Sequence, residues 1–257
     1  MKQYIVDAFT NQVFGGNPAA VILLDQWVPD DLLVKIAREN NLSETAFAVK
    51  TDSAYHLRWF TPGGEIDLCG HATLAMAYVI TRFIEPQVET LHFQTLSGEL
   101  IVHRSEEWLE MDFPAYELKP VAVTESMRVA IGVKPVEAYL GRDLVLVVED
   151  EAAVRALKVD PEAIKSLEGL LVHVTVQGHA FDCVTRSFGP KLGIVEDPVC
   201  GSGHCHVIPY WAARLGKNQL VAWQASERGG VLWCGLKGDR VTLRGQAVLY
   251  ATATLHL

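Results

Sequence analysis

Two kinds of hydrophobic spacing run through the chain. In HLRWF, LHFQTL, ELIVHR, LEMDF, LLVHVTVQ, AFDCVTR, VLWCGL and ATATLHL, many apolar residues recur at every second position or form short runs. This spacing predicts β-strands with one buried face. In DDLLVKIAREN and EAAVRALKV the apolar positions fall three and four apart, which predicts amphipathic helices. ATLAMAYVITRF and HVIPYWAARLG are apolar on nearly all sides and read as buried helices, with Gly216 placed to end the second. Few strand-like segments are separated by helix-length stretches. The pattern therefore predicts an α+β fold of strongly curved, mostly antiparallel sheet around a central helix.

The pattern also repeats. GNPAAVILLD from Gly16 leads into DDLLVKIAREN, and GRDLVLVVED from Gly141 leads into EAAVRALKV. Farther on, Phe60-Thr61-Pro62 precedes Asp67-Leu68-Cys69-Gly70-His71, and Phe188-Gly189-Pro190 precedes Asp197-Pro198-Val199-Cys200-Gly201-Ser202. A buried helix follows each Cys-Gly pair. The shared order predicts two pseudo-symmetric lobes, 1–115 and 116–257, each with its own central helix. The Pro- and Val-rich stretch from Glu117 to Glu125 is the expected crossing, and the extreme C-terminal strand is expected to return to the first lobe.

Composition narrows the function. Hydrophobic residues make up 49% and charged residues 21%, and the net charge is −9. An acidic chain with no Lys/Arg cluster lacks the electrostatic footprint of a nucleic-acid or anionic-membrane binder. Apolar runs such as Ala19 to Leu24 fall far short of the ~18 residues a membrane span needs. No signal-peptide pattern opens the chain, so a cytoplasmic location is expected. Five cysteines, an odd count in a chain this long, argue against a disulfide framework.

The two Cys-Gly turns carry the candidate chemistry. The first amides of a helix have no internal partner and attract anions. Gly70 in one turn and Gly201, Ser202 and Gly203 in the other would let a small carboxylate approach the backbone closely. A thiol at a helix start, Cys69 or Cys200, is expected to have its thiolate stabilised. His71 can pass a proton near neutral pH. Asp67 and Asp197 could orient a neighbour or cap the helix that follows. Glu44, in NLSETAF, stands at a predicted helix–strand junction, from which a carboxylate can project into a cleft. The plain alternatives are a core cysteine, a capping aspartate and a solvated glutamate.

Taken together, DAFTNQVFGGNPAAVIL, NLSETAF, GEIDLCGHATLA and EDPVCGSGHC resemble the PhzF family of phenazine-biosynthesis isomerases, with RGG at 228–230 and LRGQAVLY at 243–250 also fitting. The resemblance runs from residue 5 to the C-terminus. It implies the diaminopimelate epimerase-like fold, a cofactor-independent isomerase, a homodimer, and a site in a cleft between the lobes. It further implies that Glu44 is the proton shuttle and that Gly70, His71, Asp197 and Ser202 line the substrate pocket. The best-known member shifts a proton within a dihydro-hydroxyanthranilate ring.

Three mechanisms follow as expectations. In the first, Glu44 removes a proton from an activated carbon, and Glu44, His71 or Asp197 returns it elsewhere on a carboxylate-bearing substrate held by Gly70, Gly201, Ser202 and Gly203. In the second, Cys69 and Cys200 act as the two bases of an amino- or hydroxy-acid racemase, as the paired cysteines of diaminopimelate epimerase do. The third, a metal-binding protein using Cys69, His71, Cys200, His204, Cys205 and His206, is disfavoured: the spacings do not make a paired Cys-x-x-Cys framework, so no metal is expected.

Overall fold

The computed structural model describes all of residues 1–257. The chain forms two compact units, Met1–Asp112 with Arg244–Leu257, and Phe113–Leu243.

The first unit contains β1 (Lys2–Ala8), β2 (Asn17–Leu24), β3 (Glu44–Lys50), β4 (Tyr55–Thr61), β5 (Gly64–Ile66), β6 (Thr90–Thr95), β7 (Gly98–Ser105) and most of β8 (Trp108–Pro114). β1–β2, β3–β4, β4–β5, β6–β7 and β7–β8 pair antiparallel, whereas β2–β3 and β4–β6 pair parallel. Each parallel pair is joined through a helix, as a parallel crossover requires. α1 (Asp30–Asn40) lies between β2 and β3, and α2 (Gly70–Val79) between β5 and β6. α1 has the two signs of charge its dipole favours, Asp30 and Asp31 in the first turn and Arg38 in the last. It buries Leu33, Ile36 and Ala37 against Ile22, Leu24, Phe47 and Phe60.

The second unit repeats this plan. Its strands are β9 (Lys119–Val121), β10 (Glu137–Leu140), β11 (Leu144–Val147), β12 (Val172–Gln177), β13 (Cys183–Gly189), β14 (Ile194–Asp197), β15 (Gln219–Gln224), β16 (Gly230–Lys237) and most of β17 (Arg240–Gly245). β10–β11 is antiparallel, β11–β12 parallel, β12–β13 and β13–β14 antiparallel, β13–β15 parallel and β15–β16 antiparallel. That is the order of senses from β1 to β7. α3 (Glu125–Ile131) precedes β10, the short α4 (Glu151–Arg155) and α5 (Pro161–Lys165) stand where α1 stood, and α6 (Gly201–Leu215) stands where α2 stood. The last strand, β18 (Ala247–Thr254), pairs antiparallel with β1 in the first unit, as β9 pairs with β10 in the second.

Some local expectations change. The segment 117–125 is not a bare connection, because β9 forms within it. α2 stops at Val79 and the chain continues as a π-helical turn, Ile80–Ile84, in which Glu85 N–H donates to the Ile80 carbonyl at 2.7 Å. Of EAAVRALKV only Glu151–Arg155 is helical. α2 and α6 are buried along most of their length, and α6 ends at Gly216 in the left-handed conformation, φ 65°. α6 also contains Pro209, which cannot donate to the Cys205 carbonyl four residues back. The Tyr116 N–H donates to that carbonyl instead, at 3.1 Å. No helix is long and apolar enough to cross a membrane.

Candidate active site

Strand register places the acid–base groups of the first unit. β2 and β3 run parallel with Ala19 opposite Glu44 and Ile22 opposite Phe47. Ile22, Leu24 and Phe47 point to α1. By alternation Asn17, Ala19 and Glu44 point to the other face, where α2 packs. There Glu44 Oε2 lies 3.1 Å from His71 Nε2. The separation is that of a pair, but the angle is not that of a hydrogen bond, and Oε2 receives none from the protein. Both residues are buried, at 7% and 4% exposure. On the other side of the imidazole, Asn17 Nδ2 is 3.1 Å and Cys69 Sγ 3.5 Å from Nδ1.

Cys69 is the N-cap residue of α2, so Gly70 and His71 occupy its first turn. The Cys69 side chain makes no capping hydrogen bond, and Asp67, for which the sequence leaves capping and orienting a neighbour both open, is not the N-cap residue. Gly16, one residue before Asn17, sits at φ +61°, and a Cβ there would lie 2.1 Å from the Ala8 carbonyl oxygen. Only glycine fits this entry into β2.

In the second unit the first turn of α6 is closed by its own thiol. Cys200 is the N-cap residue, its Sγ accepts the Gly203 N–H at 3.4 Å, and it lies 3.5 Å from Ser202 Oγ. Asp197 does not cap the helix either; its Oδ1 accepts the Val199 N–H at 3.2 Å and so shapes the approach. Gln224 ties the two ends of that approach, donating to the Asp197 carbonyl at 3.0 Å and accepting the Cys200 N–H at 3.4 Å. The lowered thiol pKa expected from a helix start is reversed at Cys200. Burial, followed by the negative charge of Asp197, pushes this thiol well above its ordinary value. It is a neutral thiol at pH 7.

Behind this turn lies a polar cluster that spacing along the chain does not announce. Asp143, His173, Ser187 and His206 are all fully buried. His173 Nε2 is 3.1 Å from Asp143 Oδ2, and its Nδ1 is 2.9 Å from Ser187 Oγ. Arg142 grips both Asp143 oxygens, Nε to Oδ1 at 3.1 Å and the terminal nitrogen to Oδ2 at 2.7 Å. Burial alone would raise the Asp143 carboxyl, but the bonds from His173 and Arg142 outweigh it and hold the group well below the usual carboxylate range. The ring of His173 lies directly against Gly203, where a Cβ would stand 2.7 Å from it.

His206 Nε2 accepts the Asp143 backbone N–H at 3.2 Å, so its proton is on Nδ1, which donates to the Ser202 carbonyl at 2.9 Å. Burial lowers the pKa of His206, and likewise of His204, to about 4. Asp143, His173 and His206 bring one donor atom each within 4.8 Å of one another, as do Glu44, Cys69 and His71. In the Asp143 group both nitrogens of His206 are engaged, which leaves no lone pair for an ion.

Of the residues singled out in the sequence, Glu44, Cys69, Gly70 and His71 are gathered in the first unit. Asp197, Cys200, Gly201, Ser202 and Gly203 are gathered in the second. Asn17, Arg142, Asp143, His173 and Ser187 were not singled out as site residues. The one signal for some of them was the repeat itself, which put Asn17 and Arg142-Asp143 at like positions after Gly16 and Gly141.

The family profile of phenazine biosynthesis-like proteins (PhzC-PhzF) matches residues 6–253. An uncharacterized isomerase of Pseudomonas aeruginosa is 48% identical over 98% of this chain and 97% of its own. The crystal structure of a PhzF family protein from Enterococcus faecalis superposes with a TM-score of 0.97 at 49% identity, covering 100% of this chain and 99% of that one. A PhzC/PhzF protein from Clostridium difficile gives a TM-score of 0.94 at 46% identity, covering both chains in full.

Proposed function

Because the chain belongs to the PhzF family of isomerases, we propose that it shifts a proton between two carbons of a small carboxylate-bearing substrate without a cofactor, Glu44 being the acid–base group. Glu44 takes the proton from a carbon made acidic by an adjacent carbonyl or enamine. The C–H electron pair moves into that conjugated system. The same proton is returned at a second carbon by Glu44 or through His71, so substrate and product have equal composition and no electron is gained or lost. Gly70, Gly201, Ser202 and Gly203 are assigned to the substrate carboxylate, and Asp197 to the substrate through the α6 approach it shapes.

The observation that carries this reading is the buried approach of Glu44 Oε2 to His71 Nε2 at 3.1 Å, with Oε2 receiving no hydrogen bond from the protein. A carboxylate oxygen held in that way has a lone pair available to a substrate proton. The competing two-thiol racemase needs a thiolate at Cys200, where burial favours the neutral thiol.

The test is deuterium uptake in heavy water, followed by NMR over cyclic and acyclic amino and hydroxy acids. Wild-type protein is expected to label one carbon of a panel member. Glu44→Gln is expected to slow that labelling about 10²- to 10⁴-fold while the far-ultraviolet spectrum stays unchanged. Labelling by Glu44→Gln at the wild-type rate overturns the assignment.

A further inference from the structure

Among the buried polar side chains of the first unit that the proposed chemistry does not use, Asn17 reaches the His71 ring. Asn17 is fully buried at the start of β2, next to Gly16, a position that only glycine fits. A buried amide is tolerated where hydrogen bonds compensate its lost hydration. Its Nδ2 lies 3.1 Å from His71 Nδ1, while the opposite ring nitrogen, Nε2, lies 3.1 Å from Glu44 Oε2.

We propose that Asn17 is a positioning residue that fixes the tautomer of His71, so that Nδ1 is the acceptor and Nε2 carries the proton facing Glu44. Three steps lead there. A bare Nε2 would hold its lone pair 3.1 Å from an electronegative carboxylate oxygen, which is unfavourable even where the angle is not that of a hydrogen bond. Nε2 must therefore hold a proton in the resting pair. The neutral ring then has a lone pair at Nδ1, and the amide NH2 of Asn17 is the donor that matches it. Cys69 Sγ, 3.5 Å from the same Nδ1, can supply a weaker S–H contact on the same side, which favours the same tautomer. A histidine so oriented can hand its Nε2 proton toward Glu44 or substrate without first rotating.

The inference rests on the reading of Glu44 and His71 as the acid–base pair, and it has a readout that needs no substrate. Nitrogen-15 shifts of the His71 ring, assigned by comparison with His71→Gln, report which nitrogen is protonated. In the wild type Nε2 should carry the proton and Nδ1 should be bare. Asn17→Asp keeps the shape but replaces the donor by an acceptor, so the proton should appear at Nδ1, either in the other tautomer or in a doubly protonated ring. Asn17→Ala should give a mixture. A wild-type ring protonated at Nδ1 alone overturns the proposal, and so does an Nε2-protonated ring unchanged in both variants.

Deuterium uptake separates this outcome from that of the catalytic reading. If Glu44→Gln labels at the wild-type rate while the His71 tautomer still follows residue 17, the chemistry is wrong and the positioning role stands. If Glu44→Gln is inactive and the tautomer ignores residue 17, the positioning role alone falls.

Discussion

Replacing Gly203 by alanine inverts an ordinary rule. Within a helix, Gly→Ala stabilises by about 1 kcal/mol, because glycine loses the most backbone freedom on folding. At Gly203 the new methyl would stand 2.7, 2.8 and 3.2 Å from Cε1, Nδ1 and Nε2 of His173. Ordinary contact needs roughly another 0.7 Å, and the ring has nowhere to go. Ser187 holds one of its nitrogens at 2.9 Å and Asp143 the other at 3.1 Å, with all three residues fully buried. Overpacking of this kind costs about 1–3 kcal/mol. Losing the hydrogen bond to the charged Asp143 would cost about 1.5–3 kcal/mol.

After the helix-propensity gain is subtracted, Gly203→Ala should be destabilised by about 2 kcal/mol. At this chain length that lowers the thermal midpoint by about 4–8 °C, read by circular dichroism or calorimetry. In a His173→Ala background the same substitution should become neutral or stabilising, so the coupling in the cycle isolates the clash. A single variant as stable as the wild type would refute the reasoning, because it would mean that the His173–Asp143 pair yields freely.

Two more outcomes follow from the same unit. Burial holds His204 and His206 neutral in the fold, with pKa values of about 4 against 6.5 for a free histidine. The unfolded chain therefore takes up protons first as pH falls: the stability these residues provide is full above pH 6.5, declines between 6.5 and 4, and levels off below. Each contributes on the order of 3 kcal/mol over that window, and a urea midpoint that stays flat from pH 7.5 to 4.5 would contradict it. Cys200→Ser should keep deuterium uptake at the wild-type rate and leave the helix as stable or more so, since a hydroxyl accepts the Gly203 N–H better than sulfur does; a large loss of uptake would instead revive the two-thiol racemase.

Local periodicity made the architecture legible and left much of the site hidden. Alternation marks the strands because half-buried sheet must alternate, and α1 runs over Asp30–Asn40 because Leu33, Ile36 and Ala37 share one face. The two Cys-Gly turns read correctly as the starts of helices. The electrostatics of the second did not, since a helix start favours a thiolate only where water or a cation also supports it, and Cys200 is buried beside Asp197. Asp143 and His173 are 30 positions apart and meet because β11 and β12 pair in parallel, with Val145 opposite His173. Asn17 and His71 likewise meet across 54 positions. Such pairings are set by register and helix docking, and no spacing rule along the chain encodes them.

Pro209 has a consequence for how the second unit is tied together. A helix with an ordinary residue at 209 could close its own ladder and release the segment 115–118 that follows β8. Proline removes that option permanently, so the Tyr116 amide takes the place of the missing helical donor, and peeling Tyr116 away would lose a hydrogen bond worth about 0.5–1.5 kcal/mol. The main-chain part of this fastening survives any side chain at position 116 except proline, whereas the ring of Tyr116 adds a stack on His206 of α6, centroids 4.1 Å apart, that an aliphatic residue would lose.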